Sequence, residues 1–167
     1  MKLSLHRLGS ATAIAAIAAA ALLASPLTGN AAPLTDTSAA VVAPHAAGDG
    51  TPSGAVQWYQ NHLGSTAYQH YCEKAAEVSY GTSGVWASAN AHWNGASPKH
   101  PGDRNPPAGA FVYWNISAWG HVGISDGNGG FYATSVNGAI GHVTRSQGGY
   151  SYFSNYRGWT PPARPRP

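Results

Sequence analysis

The sequence predicts an α+β domain, with helices first and then an antiparallel sheet of about five strands. Three observations carry this reading. Between Val56 and Trp93 apolar residues recur at helical spacing, and glycines close the runs. After Ala110 short apolar runs alternate with turn signals such as Asp126-Gly127-Asn128-Gly129 and Asn137-Gly138. Charged residues are only 9% of the chain against 11% aromatics, a balance that suits a small extracellular fold built on large rings.

In chain order, Lys2, His6 and Arg7 precede an Ala/Ile/Leu run from Ala11 to Ala24, and small residues follow at Gly29 and Ala31. This pattern reads as an export leader over residues 1–31. Its apolar run is shorter than the roughly 20 residues of a membrane span. Residues 32–53 are Ala, Pro, Thr, Gly and Ser with almost no large apolar side chain, and are expected to be a disordered linker. Residues 54–161 form the expected domain, followed by a Pro/Arg tail at 162–167.

Val56 to Leu63 predicts a helix with Val56, Tyr59 and Leu63 on its inner face, ended by Gly64. A second helix is expected from Cys72 to about Tyr80, with Ala75, Ala76 and Ser79 inward and Glu73 and Glu77 solvating the outer face. A third runs from Val85 to Trp93. Asn94 to Ala108, rich in Pro and Gly, reads as a loop. The strands expected are Ala110–Trp114, Gly120–Ser125, Gly130–Ser135, Ile140–Thr144 and a last one within Tyr150–Trp159.

The whole chain carries +3, but loss of Lys2 and Arg7 with the leader leaves +1. No basic stripe of the kind nucleic-acid binding requires is present. No membrane anchor beyond the leader, metal centre or phosphate loop is legible either. The histidines lack ligand spacing, and no carboxylate cluster accompanies them. No cofactor is called for, no acidic loop would hold calcium, and a monomer is expected.

Cys72 is the one cysteine. In an exported protein a lone thiol is left to be buried and inert, bridged to another molecule, or used as a nucleophile. At a helix start, free N–H groups favour a thiolate and offer hydrogen bonds to an oxyanion. A proton partner must come from elsewhere in the fold. His62, His70, His92 and His100 fall where solvated histidines are usual. His121 opens an apolar strand behind a glycine that permits close backbone approach, and His142 is its nearest rival. Trp58, Trp86, Trp93 and Trp159 read as core. Trp114 and Trp119 flank the loop before His121 and, with Tyr71, are candidates for lining a cleft.

Cysteine at a helix start, the strand Pro107-Ala108-Gly109-Ala110-Phe111-Val112-Tyr113-Trp114 and the segment Gly120-His121-Val122-Gly123-Ile124 together resemble the papain-like cell-wall hydrolases. The nearest branches are the CHAP amidohydrolase/peptidases, with the NlpC-type endopeptidases close behind. The resemblance spans residues 68–161. It implies a papain-like fold, Cys72 as nucleophile, His121 as general base, and peptidoglycan or its stem peptides as substrate. The third, orienting position departs from both patterns. Ala133 stands where NlpC-type enzymes carry a polar residue, and Ser135-Val136-Asn137 stands where CHAP enzymes carry Glu-x-Asn. Asn137 and Ser135 are therefore the candidates for orienting His121, although Asn137-Gly138 is equally a turn signature. The alternative is a catalytically inactive wall-binding or protein-binding module on the same fold.

Overall fold

A computed structural model describes residues 47–166. The expected leader and most of the expected linker lie outside the described residues. Among the described residues three α-helices, α1 (Pro52–Asn61), α2 (Cys72–Ser79) and α3 (Ala89–Gly95), precede the whole sheet. The strands are β1 (His100–Pro101), β2 (Phe111–Trp114), β3 (His121–Ser125), β4 (Phe131–Val136), β5 (Ala139–Val143) and β6 (Tyr156–Thr160). The fold is α+β with an antiparallel sheet of six strands, ordered β1-β6-β2-β3-β4-β5.

Each helix begins at a recognisable signal. Thr51 caps α1 by accepting the Gly54 N–H at 3.0 Å, and Pro52 supplies a preset φ in the first turn. Ser88 caps α3 through the Ala91 N–H at 3.1 Å. Two sequence expectations move here. The domain begins before residue 54: Gly48 donates to the Val78 carbonyl, and a Cβ at Gly48 would overlap the Ser79 carbonyl. The inner face of α1 is Ala55, Trp58 and Tyr59, continued by His62, while Leu63 is 50% exposed. The helix also starts about a turn earlier than expected.

Both faces of the sheet are covered. On one side α1, α2 and α3 bury Trp58, Tyr59, Ala75, Ala76 and Trp93 against Phe111, Tyr113, Val122, Ile124 and Tyr132. On the other, Trp114, Val112, Phe131, Ala133 and Val143 pack under Tyr150 and Trp159, with Phe153 and Tyr156 alongside. Double coverage explains why β2 and β3 read as continuous apolar runs. Residues 145–147 and 149–151 form short 3-10 turns, so the last strand occupies only the second half of the segment expected. β6 then inserts between β1 and β2, and β1 forms inside the expected Asn94–Ala108 loop by pairing with it. The tail after β6 is also engaged: Arg164 donates to the Gly81 carbonyl, and Pro165 is buried.

Candidate functional site

Cys72 is the first residue of α2. No side chain caps this helix, whereas Ser88 and Thr51 cap the other two. The Tyr71 carbonyl accepts the Ala75 N–H at 3.0 Å, which starts the helical ladder and leaves the earlier N–H groups outside it. Backbone N–H groups of Val122, Glu73 and Cys72 all act on the sulfur. Val122 directly follows His121, so the thiol meets the beginning of β3. His70, two residues before the thiol, holds a left-handed φ of 69°.

These donors do not produce a resting thiolate. Burial pushes the Cys72 thiol above its ordinary value. The Val122 N–H opposes this, the Glu73 carboxylate adds to it, and the Glu73 and Cys72 N–H groups oppose it again. Desolvation therefore outweighs the helix start, which corrects the sequence expectation of a lowered thiol pKa.

His121 pairs with Trp114 across β2–β3, and its ring packs against Trp114 (centroids 5.8 Å apart) and Phe153 (4.7 Å). It is 5% exposed. Burial pushes its pKa down to about 4, opposed by the Thr134 carbonyl, which favours the charged ring. Nε2 has no hydrogen-bond partner. At neutral pH the structure thus holds a neutral thiol and a neutral imidazole. The group supporting the imidazole is a main-chain carbonyl on β4, where the sequence had pointed to side chains.

Asn137 and Ser135 do something else. Asn137 is exposed in the β4–β5 turn at φ 51°, and its side-chain oxygen accepts from the Tyr152 hydroxyl at 3.5 Å. Ser135 sits at φ 63° where the β4–β5 register shifts between Ala133 and Val136. Both residues shape the end of this hairpin. A main-chain carbonyl carries no sequence signature, so the Thr134 contact was illegible beforehand. His142 is committed elsewhere: its Nε2 lies 2.8 Å from Asp126 Oδ2, and its ring stacks on Tyr132.

In front of the thiol lies a cleft of 460 Å³ lined by Tyr71, Cys72, Glu73, Trp86, Ser88 and Trp119, among others. Tyr71 and Trp119 are 63% and 70% exposed. Trp114 does not belong to this cleft: it is fully buried and donates from Nε1 to the Tyr150 carbonyl at 2.9 Å. Trp86, expected in the core, is half-buried and lines the cleft instead.

The cleft walls are fixed by residues the sequence had assigned to the surface. Glu77 is buried and accepts the Trp86 N–H at 2.7 Å and the Val85 N–H at 3.2 Å, pinning the loop before α3. Glu73 is buried as well, with Oε1 at 2.8 Å from Nδ1 of the buried His92, whose ring stacks on Trp86. Burial raises the Glu73 pKa; the hydrogen bond and charge of His92 oppose this, and Glu77 adds to it. Gly120 allows the opposite wall to close. A Cβ there would come within 2.5 Å of the Asn90 side chain, which bonds the Ala118 carbonyl, while the Asn90 N–H bonds the Trp119 carbonyl.

Among the described residues, no group of three or more His, Cys, Asp or Glu side chains is placed to hold a metal ion, and no helix is long and apolar enough to cross a membrane. Comparison with protein-family models, curated proteins and solved structures finds no match to this chain.

Proposed function

We propose that the protein is an exported cysteine hydrolase of papain-like fold, related to the CHAP or NlpC-type wall enzymes, which cleaves an amide bond in peptidoglycan. The observation that carries the reading is the seating of Cys72. Its thiol lies at an uncapped helix start, in an open cleft, where the main chain of the residue after His121 favours its ionised form. A thiol kept only as an inert core residue would call for neither the cleft nor the N–H groups gathered around the sulfur.

The chemistry follows from the protonation states. A neutral thiol cannot attack until its proton moves, and His121 is the acceptor that the resemblance implies. Its ring packs with Trp114 and Phe153 on the sheet face away from α2, so the transfer requires the imidazole to swing toward the cleft. As the sulfur–carbon bond forms, the proton passes to the imidazole. The N–H groups at the start of α2 then bond the developing oxyanion. Collapse breaks the carbon–nitrogen bond, with the imidazole returning the proton to the leaving amine. Water, losing a proton to the same imidazole, hydrolyses the thioester to a carboxylic acid and regenerates the thiol. Tyr71, Trp86 and Trp119 offer apolar faces to the peptide or sugar on either side of the bond. No cofactor enters the scheme.

A second reading has its own observation. The raised thiol and the lowered imidazole are what a retained but idle pair would also show, and the aromatic cleft would then serve as a wall-binding surface. The two readings separate on purified peptidoglycan. The native protein should release new amino and carboxyl groups, and Cys72→Ala should release none while still sedimenting with the wall. Cleavage that survives Cys72→Ala overturns the thiol mechanism. A native protein that sediments with the wall and releases nothing supports the binding module.

A further inference from the structure

At the far end of β3 from His121 lies a second cleft, of 570 Å³, between the loop around Arg104, the 126–130 turn and the paired 3-10 turns. The four steps along β3 from His121 to Ser125 place it more than about 13 Å from the beginning of the strand, at roughly 3.3 Å per residue. Its polar lining includes Arg104, Asn105, Asn128 and Arg145, and no acidic side chain lines it. The two nearest carboxylates are occupied. Asp126 accepts the Asn128 and Gly130 N–H groups and pairs with His142, and Asp103 accepts from the main chain and side chain of Asn105. Neither arginine forms an ion pair among the described residues. Arg104 is held by the Ser151 hydroxyl at 2.9 Å and lies over the Tyr156 ring, while the Arg145 stem lies alongside Gly129.

The cleft also depends on a glycine. Gly149 adopts φ 48°, and a Cβ there would come within 2.5 Å of the Gly129 carbonyl. That close approach brings the Arg145 turn against the 126–130 turn. The result is two planar cations and two amides around one cavity with no counter-charge supplied by the fold.

The geometry points to a binding site for the terminal carboxylate of a peptide, held between Arg104 and Arg145. Guanidinium groups match a carboxylate in a two-bond fork, and Asn105 and Asn128 supply amides for the adjoining peptide group. Three sides of the cleft are polar loops, which favours an extended polar chain over an apolar ligand. The site stands apart from the Cys72 cleft and does not depend on its chemistry.

The test is a titration of the full-length ¹⁵N-labelled protein with acetyl-Ala-Ala, with its C-terminal amide and with inorganic phosphate, read from the amide resonances of Gly129, Arg145 and Gly149. Saturable shifts with the free acid, and none with the amide, are expected. Arg145→Gln should weaken binding about tenfold or more, and Arg145→Lys less, because lysine keeps the charge but loses the fork. Cys72→Ala should bind as the native chain does. Equal shifts with the amide, or no saturable shift, would overturn the assignment. Tighter binding of phosphate than of the peptide acid would overturn it too, as would unchanged affinity in an Arg145→Gln variant that keeps its native spectrum.

Discussion

Glu73 and His92 form a buried pair directly beside the Cys72 thiol, with Oε1 and Nδ1 2.8 Å apart. The pair joins α2 to α3 and props the Trp86 wall of the cleft, since the His92 ring stacks on Trp86 at 5.5 Å. It also places a carboxylate beside a sulfur whose ionisation that charge opposes.

The pair therefore acts on stability and on the thiol in separable ways. His92→Ala leaves a buried carboxyl without its partner and should destabilise the protein by about 3 kcal/mol in urea unfolding. Glu73→Gln keeps the shape and removes the charge, so the pH profile of Cys72 alkylation should move to lower pH and neutral-pH alkylation should quicken. A slower or unmoved profile would show that the carboxylate does not act on the sulfur.

The buried imidazole of His121 links stability to pH. Its folded value of about 4 lies below the ordinary 6.5. Above pH 6.5 the ring is neutral folded or unfolded, and no penalty arises. Between pH 6.5 and 4 the unfolded chain takes a proton that the folded chain refuses, so stability falls on acidification by up to about 3 kcal/mol. Unfolding of the native protein and of His121→Leu, followed by denaturant at pH 7 and pH 4.5, should show a smaller acid loss in the variant. With this ring as proton acceptor, the acid limb of hydrolysis should lie below pH 6.5, because the ring stays unprotonated down to about pH 4.

Trp114 and Trp119 separate core from cleft. Trp114→Phe loses volume and the bond to the Tyr150 carbonyl and should cost about 2 kcal/mol in thermal or chemical unfolding. Trp119→Ala, at an exposed position, should stay within about 0.5 kcal/mol of the native protein. It should nonetheless raise the concentration of wall peptide needed for half-maximal cleavage or binding. An unchanged requirement would remove Trp119 from the substrate surface.

Glu77 holds the loop that carries Trp86. Glu77→Ala strands the Val85 and Trp86 N–H groups and should cost about 2 to 3 kcal/mol. Hydrogen exchange should quicken at those two amides relative to the β2 and β3 ladder. Uniform protection across all of them would place the loop's anchorage elsewhere.

The order of the three helices and of the five longer strands, the hairpin turns and the inward set Ala75, Ala76 and Ser79 were legible in the sequence. These are properties of local spacing, of glycine-bearing turns and of apolar periodicity, all of which are written within a few residues. Tertiary structure alone decided the rest. Glu73 and Glu77 look like a solvated pair on one helix face, and only the approach of α3 and its leading loop supplies the His92 ring and the two N–H groups that make their burial tolerable. Trp114 and Trp119 look alike near one loop, but the pleat points one into the core while the turn leaves the other in solvent. Asn137 and Ser135 carry the chemistry that could orient a histidine, yet the Thr134 carbonyl stands nearer because β4 bulges there. Side-chain identity announces a capacity, and which capacity is used depends on which distant backbone arrives beside it.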